Sequence, residues 1–436
     1  MTPPDDTGTG STTATDNEPM EELEPGRAKH GGEKPGPARR FGGWLLNSYL
    51  YGRPWVVTLL SFVVALVVGA IFIALADNGT RDRLGYFFEH PSDAAHSAWQ
   101  AISAGYSALF RGSIFNFNSL YSNGGVGIFD PISGTLVNAA PLILGGLAVT
   151  VAFRAGLFNI GVQGQSIMGA IGAGYVGFAW HMPIVIHVLV AIAFGILGGA
   201  LWGGLVGLLK AKTGAHEVIT TIMLNYVAYG ILTYLLATDG FKAPHTLEAT
   251  SPFIDSSAQL PHLFDQLHFA IVIALLAAVL VWWLLTRSTL GFSVRAIGAN
   301  PFAARTAGMK VERGYFTVMV IAGALGGLVG VSQVLGTRHV VTQDVDGGFG
   351  FDAITVALLG RGTPLGTVLA GLLFGAFRAG GVVMSSQTST PSDIVSIMEP
   401  VMVLFIAAPA LVRGLFHLRA SRSGDTAGQL AKGWNG

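Results

Sequence analysis

Ten runs of apolar residues alternate along the chain with shorter polar segments. They fall at 55–76, 134–153, 157–180, 184–209, 217–237, 269–286, 315–336, 351–360, 364–385 and 394–412. A helix needs about 20 mostly apolar residues to cross the hydrocarbon of a bilayer, and nine of the runs meet or approach that length. The eighth is too short to span alone, which predicts a segment buried among the other helices. The pattern therefore predicts an all-α polytopic membrane protein of about ten transmembrane helices, with a membrane domain over 55–412.

Glycines are placed along these runs at helical spacing. Gly195, Gly199, Gly203 and Gly207 recur every four residues in the fourth run, and Gly323 with Gly327, Gly326 with Gly330, and Gly371 with Gly375 repeat the spacing. In lipid, helices associate through close backbone approach, so these rows predict packing seams.

Composition sharpens the class. With 51% hydrophobic and 11% charged residues the chain is too apolar for a soluble domain, and its zero net charge points to no nucleic acid partner. Cysteine is absent, which excludes disulfides, iron–sulfur clusters and thiolate zinc sites. Residues 1–40 are rich in Pro, Gly, Thr and acidic residues, and the segment 1–50 reads as a disordered cytoplasmic tail, with 413–436 as a cytoplasmic C-terminal tail. No short apolar stretch with a small-residue cleavage site precedes the first run, so the first helix is expected to be retained.

Positive charge sets the orientation, because Lys and Arg resist export. With the N-terminus inside, nineteen of the 25 fall on cytoplasmic segments, five (Arg81, Arg83, Arg111, Lys242 and Arg338) fall outside, and Arg378 lies within a span. An odd number of helices would destroy this asymmetry, so both termini are expected in the cytoplasm.

The polar residues inside the runs are candidates for function, since amides and charges are costly in lipid. In FRAGLFNIGVQGQSIMG, Phe158, Asn159, Gln163 and Gln165 sit among glycines that permit a broken helix. The same amides could instead bond neighbouring helices. EVITTIMLNY places Glu217 at the start of a span, where it suits the helix dipole, and Asn225 with Tyr226 deeper inside. In the loop 287–314, Asn300 can cap, Pro301 can open and Gly308 can stop a short helix that exposes Phe302 and Arg305. His262, Asp265 and His268 could share a face around a metal, or simply belong to a solvated loop.

Together the strings FRAGLFNIGVQGQ, EVITTIMLNY, AIGANPFAARTAGM and GFGFDAITVALLGRGTPLG resemble the membrane subunit of an ATP-binding cassette importer. The branch is the one that includes branched-chain amino acid, simple sugar and nucleoside permeases. The likeness covers roughly residues 130–412 and is greatest to nucleoside-type permeases, with sugar permeases next. It implies a type II importer-like fold of two pseudo-symmetric halves in a bacterial plasma membrane, and a central path with candidates Phe158, Asn159, Gln163, Gln165, Asn225, Tyr226 and Asp352. It also implies that Asn300, Pro301, Ala303, Ala304, Arg305 and Gly308 form a helix that couples to an ATPase. The implied partners are that ATPase, a second permease and an extracytoplasmic solute-binding lipoprotein. No cofactor is expected in this chain: it has no phosphate-binding loop, so ATP and magnesium belong to the ATPase. Near the last run the resemblance departs at Glu399–Pro400. An ion-driven secondary transporter would lean on Asp352, Arg378 and Glu399, a small set for that task, and the motifs of an intramembrane hydrolase are missing.

Overall fold

Inside hydrocarbon the backbone has no water to bond, so each apolar run closes its hydrogen bonds within a helix. The computed structural model describes residues 54–116, 127, 129–388 and isolated positions between 391 and 416. Its helices are α1 (Pro54–Ala76), α2 (Asn78–Leu84), α3 (Pro91–Ser113), α4 (Asp130–Arg154), α5 (Val162–Ala179), α6 (Ile184–Thr213) and α7 (Glu217–Leu236). A hairpin of β1 (His262–Phe264) and β2 (Leu267–His268) follows. After it come α8 (Ala270–Arg287), α9 (Thr289–Ala299), α10 (Pro301–Thr306), α11 (Val311–Val331), a π-helical turn (Ser332–Arg338), α12 (Phe349–Leu359) and α13 (Pro364–Gln387).

Among the described residues seven helices are long and apolar enough to cross a membrane: α1, α4, α6, α7, α8, α11 with its π-helical continuation, and α13. The chain is a polytopic helical membrane protein. α5 is mostly buried, and α12 is the short apolar segment expected at 351–360. Most of the expected run at 394–412, Glu399, the segment 1–50 and nearly all of 413–436 lie outside the described residues.

One expectation changes. The run 157–180 becomes helical only at Val162, because α4 ends in a left-handed Gly156 and the chain then crosses an irregular stretch. The segment 77–133 contains α3, which lies against α1 and α13. Its Tyr106 hydroxyl donates to Leu66 O in the body of α1, and a Cβ on Gly112 would meet Val383 Cβ at 2.5 Å.

The glycine rows form the seams. α6 packs on α11 more extensively than any other pair. A Cβ on Gly199 would fall 2.6 Å from Gly327 N, and one on Gly207 would fall 2.9 Å from Phe316 Cα. Gly375 faces Ala139 N of α4 at 2.7 Å in the same way. The packing is reciprocal. α11 lies on α6 and α5, while α4 lies on α13 and α12, and α4 and α11 also touch each other. Exchange of this kind is what two halves related by a pseudo-two-fold axis produce.

Above the bundle, the segment between α7 and α8 is stitched to helix ends by backbone bonds. Ser251 N donates to Val341 O at 2.9 Å, Ile254 N to His339 O at 2.8 Å and Leu260 N to Leu335 O at 2.8 Å. The hairpin is pinned to α4 by Ser133 Oγ, which donates to Asp265 Oδ2 at 2.7 Å. No group of three or more metal-ligating side chains occurs among the described residues.

Candidate functional site

The chain turns back after α4 in a Schellman motif: Gly156 N donates to Phe153 O at 3.1 Å and Leu157 N to Ala152 O at 3.0 Å. Glycine is favoured at 156 by its left-handed φ of 73°. Residues 157–161 then run up beside α4 without helical bonds. α5 starts about halfway along α4, where a Cβ on Gly145 would contact Val162 at 3.4 Å and Ala353 of α12 at 2.7 Å.

Two helix starts therefore meet at mid-depth. α12 begins directly against α5, since a Cβ on Gly350 would lie 2.5 Å from Gln163 Cα. Each start leaves backbone N–H groups without intrahelical acceptors, and in a water-poor interior these need partners. The residues just before the helices, Gly161 and Gly348, have no side chains to supply them. Both caps come from elsewhere. Asn225 Oδ1 accepts from Gly164 N at 2.9 Å while its Nδ2 donates to Ile160 O at 3.0 Å. Asp346 Oδ2 accepts from Gly350 N at 3.3 Å, and Ser166 Oγ donates to Asp346 Oδ1 at 2.5 Å.

The break itself is held by paired amides. Asn159 Oδ1 accepts from Gly161 N at 2.9 Å, and Asn159 and Gln165 exchange amide bonds at 3.3 and 3.4 Å. Asn159, Gln165 and Asn225 are buried with their polar atoms bonded inside the protein. Gln163 and Asp352 are half-buried at the meeting point. Arg378 of α13 pairs with Asp352, donates to Gly347 O at 3.1 Å and lies 4.1 Å from the centre of the Phe349 ring. Phe158 is half-buried, with its ring tilted 38° to that of Phe153 at 5.1 Å between ring centres. Tyr226 turns away from α5 and is 71% exposed, on a face of α7 that also exposes Met223, Tyr229 and Tyr234.

Sequence reasoning missed Asp346 and Ser166. The signal for Asp346 was present in DGGFGFD, an acceptor followed by glycines at the start of an apolar run. Arg378 stood out only as a lone cation in a span.

The loop helix α10 is built as the sequence encodes it. Asn300 Oδ1 accepts from Phe302 N and Ala303 N, each at 3.0 Å, and Pro301 opens the helix. It stops at Gly308, whose φ is 84°, with Met309 N donating to Ala304 O at 3.0 Å. Ala304 is buried against Ile297 and Val311, whereas Ala303 and Arg305 are exposed. Arg305 pairs with Glu312 at 2.5 Å, and Glu217 pairs with Lys210 at 2.8 Å.

Comparison with known proteins adds relatives to this geometry. The family model described as branched-chain amino acid transport system / permease component matches residues 132–407. A guanosine ABC transporter permease protein of Bacillus subtilis is 36% identical over 82% of this chain and 94% of its own length. A nucleoside ABC transporter permease protein of Lactococcus lactis is 33% identical over 64% of this chain and 80% of its own. A glucose ABC transporter permease protein of Haloferax volcanii is 32% identical over 63% and 75% respectively. No solved structure matches the chain.

Proposed function

The chain belongs to the branched-chain amino acid transport system / permease component family of ABC transporter permeases, and we propose that within it the chain forms half of a path for nucleosides. The observation that carries a path is the meeting of the α5 and α12 starts at mid-depth, beside the half-buried Gln163 and Asp352. Helix starts inside a membrane protein point the positive ends of their dipoles toward a solute. The choice of nucleoside rests on the guanosine and nucleoside permeases among the relatives.

The chemistry fits that solute. The Gln163 amide offers both donor and acceptor, and the Asp352 carboxylate accepts from ribose hydroxyls. The phenolic face of α7 gives flat aromatic surface for a base together with hydroxyls, and such a face is poorly matched to lipid tails. In this reading a second permease covers it, and the solute passes between the two. That a guanosine permease also exists in Bacillus subtilis as a second, 27% identical protein is in keeping with such a pair.

Energy comes from a separate ATPase at α10, and an extracytoplasmic lipoprotein delivers the solute. The protein sits in the plasma membrane with both termini in the cytoplasm, and Asn159, Gln165 and Asn225 hold the break that the solute passes. A sugar is the second reading, favoured by the glucose permease relative. The test is uptake of labelled guanosine by cells carrying Gln163→Ala or Tyr226→Ala at unchanged membrane abundance. Loss of uptake in either supports the path, and wild-type uptake in both removes this site from it.

A further inference from the structure

A cleft of about 300 Å³ opens between α10 and the turn that joins α6 to α7, on the side that the distribution of Lys and Arg assigns to the cytoplasm. One wall is Lys210, Ala211 and Gly214, the other is Phe302 and Arg305, and Tyr315 of α11 closes the end. Each wall is fixed. The Lys210–Glu217 pair at 2.8 Å closes the turn, where Gly214 takes a φ of 68°, and the Arg305–Glu312 pair at 2.5 Å ties α10 to α11. The apolar part is accessible rather than collapsed, with Phe302 77% exposed at the lip. Around it Lys212, Arg305, Lys310 and Arg313 are all exposed, against Glu312 as the one exposed acid on the same elements.

We propose that this two-walled cleft is where the ATPase docks, through a segment that seats an apolar side chain between carboxylates. The inference rests on the ATPase-coupled reading of α10 and goes beyond it, because it adds the α6–α7 turn as a second contact. Charge complementarity selects the occupant: a cationic rim around an apolar floor matches an acidic segment with an apolar tip, and disfavours a basic one.

The second wall changes what docking can move. Glu217, Thr221 and Asn225 lie four residues apart on one face of α7. Glu217 reaches the cleft through Lys210, a Cβ on Gly161 would meet Thr221 Cγ2 at 3.1 Å, and Asn225 caps Gly164. Movement of the turn therefore reaches the break before α5 along a single helix row, so Lys210 is a positioning residue between the ATPase and the path.

The chain has no cysteine, so single cysteines placed at Ala211, Phe302 and Lys242 can each carry a photoreactive maleimide in the assembled transporter. Crosslinks to the ATPase from both Ala211→Cys and Phe302→Cys, with none from the outer control Lys242→Cys, are the expected result. A crosslink from Phe302→Cys without one from Ala211→Cys overturns the cleft while leaving α10 as the docking site. No crosslink from either overturns the ATPase reading itself. In the same complex Lys210→Met is expected to keep the crosslink and raise several-fold the ATP hydrolysed per solute moved. An unchanged ratio, or equal loss of hydrolysis and uptake, overturns the row through α7.

Discussion

Asn225 on α7 caps the start of α5, accepting from Gly164 N at 2.9 Å across 61 residues of sequence. The same amide donates to Ile160 O at 3.0 Å, so one side chain satisfies both sides of the break. Asn225→Ala leaves a buried N–H and a buried carbonyl without partners, at a cost of about 1–3 kcal/mol for each. The expected outcome is a clearly lowered thermal midpoint of the purified protein in detergent. An unchanged midpoint contradicts the capping role.

The α6–α11 seam leaves no room for a methyl group. Gly199→Ala would place a Cβ 2.6 Å from Gly327 N, whereas Gly230→Ala on the exposed face of α7 meets nothing within 4 Å. Overpacking of this sort costs about 1–3 kcal/mol, and alanine in an open helical position gains up to about 1 kcal/mol. Gly199→Ala should lower folded yield and thermal midpoint, and Gly230→Ala should leave both unchanged or slightly raised.

Asp352 and Arg378 are each about a quarter exposed, at 26% and 25%. Removing one leaves the other partly desolvated, a cost between the roughly 1 kcal/mol of a surface pair and the roughly 3–5 kcal/mol of a buried one. Arg378→Leu should therefore destabilise more than the double replacement Asp352→Leu with Arg378→Leu. A double-mutant cycle on thermal unfolding measures this, and additive losses would show the pair to be uncoupled.

The β1–β2 hairpin should make stability depend on pH. Burial pushes the His268 imidazole down to about 4, and the nearby His262 and His339 push it the same way. The unfolded chain takes up this proton near the ordinary value and the folded chain does not. The contribution is therefore fully present above the ordinary histidine range and is lost as pH falls through it toward about 4, at most about 3 kcal/mol in all. The thermal midpoint should drop between about pH 7 and about pH 5, and His268→Gln should flatten that drop. An equally steep drop in His268→Gln assigns it to other groups.

Much of the fold was legible because a span must be long and apolar, and because seams in lipid need small residues at helical spacing. The loop helix was legible for a local reason: Asn300, Pro301 and Gly308 carry their own instructions within a few residues. The candidate site was harder to read. Asn159, Gln163, Gln165 and Asn225 are all amides in apolar runs, and sequence does not tell path-lining amides from bonding ones. In the structure Asn159 and Gln165 bond each other, Asn225 bonds backbone on another helix, and Gln163 is left half-buried. Pairing across space separates them, and no periodicity encodes it. Asp346 was missed because its partner Ser166 lies 180 residues away, and α3 because its small and polar residues hide a helix that packs against spans.

ATP drives a nucleoside along the path where α5 and α12 begin, in the function proposed above. The direct measurement is uptake of labelled guanosine into vesicles containing this chain with its ATPase, second permease and binding protein. Accumulation that requires ATP, resists excess unlabelled glucose and is abolished by excess unlabelled guanosine is the expected result. Accumulation of glucose in place of guanosine, or guanosine uptake that proceeds equally without ATP, would contradict it.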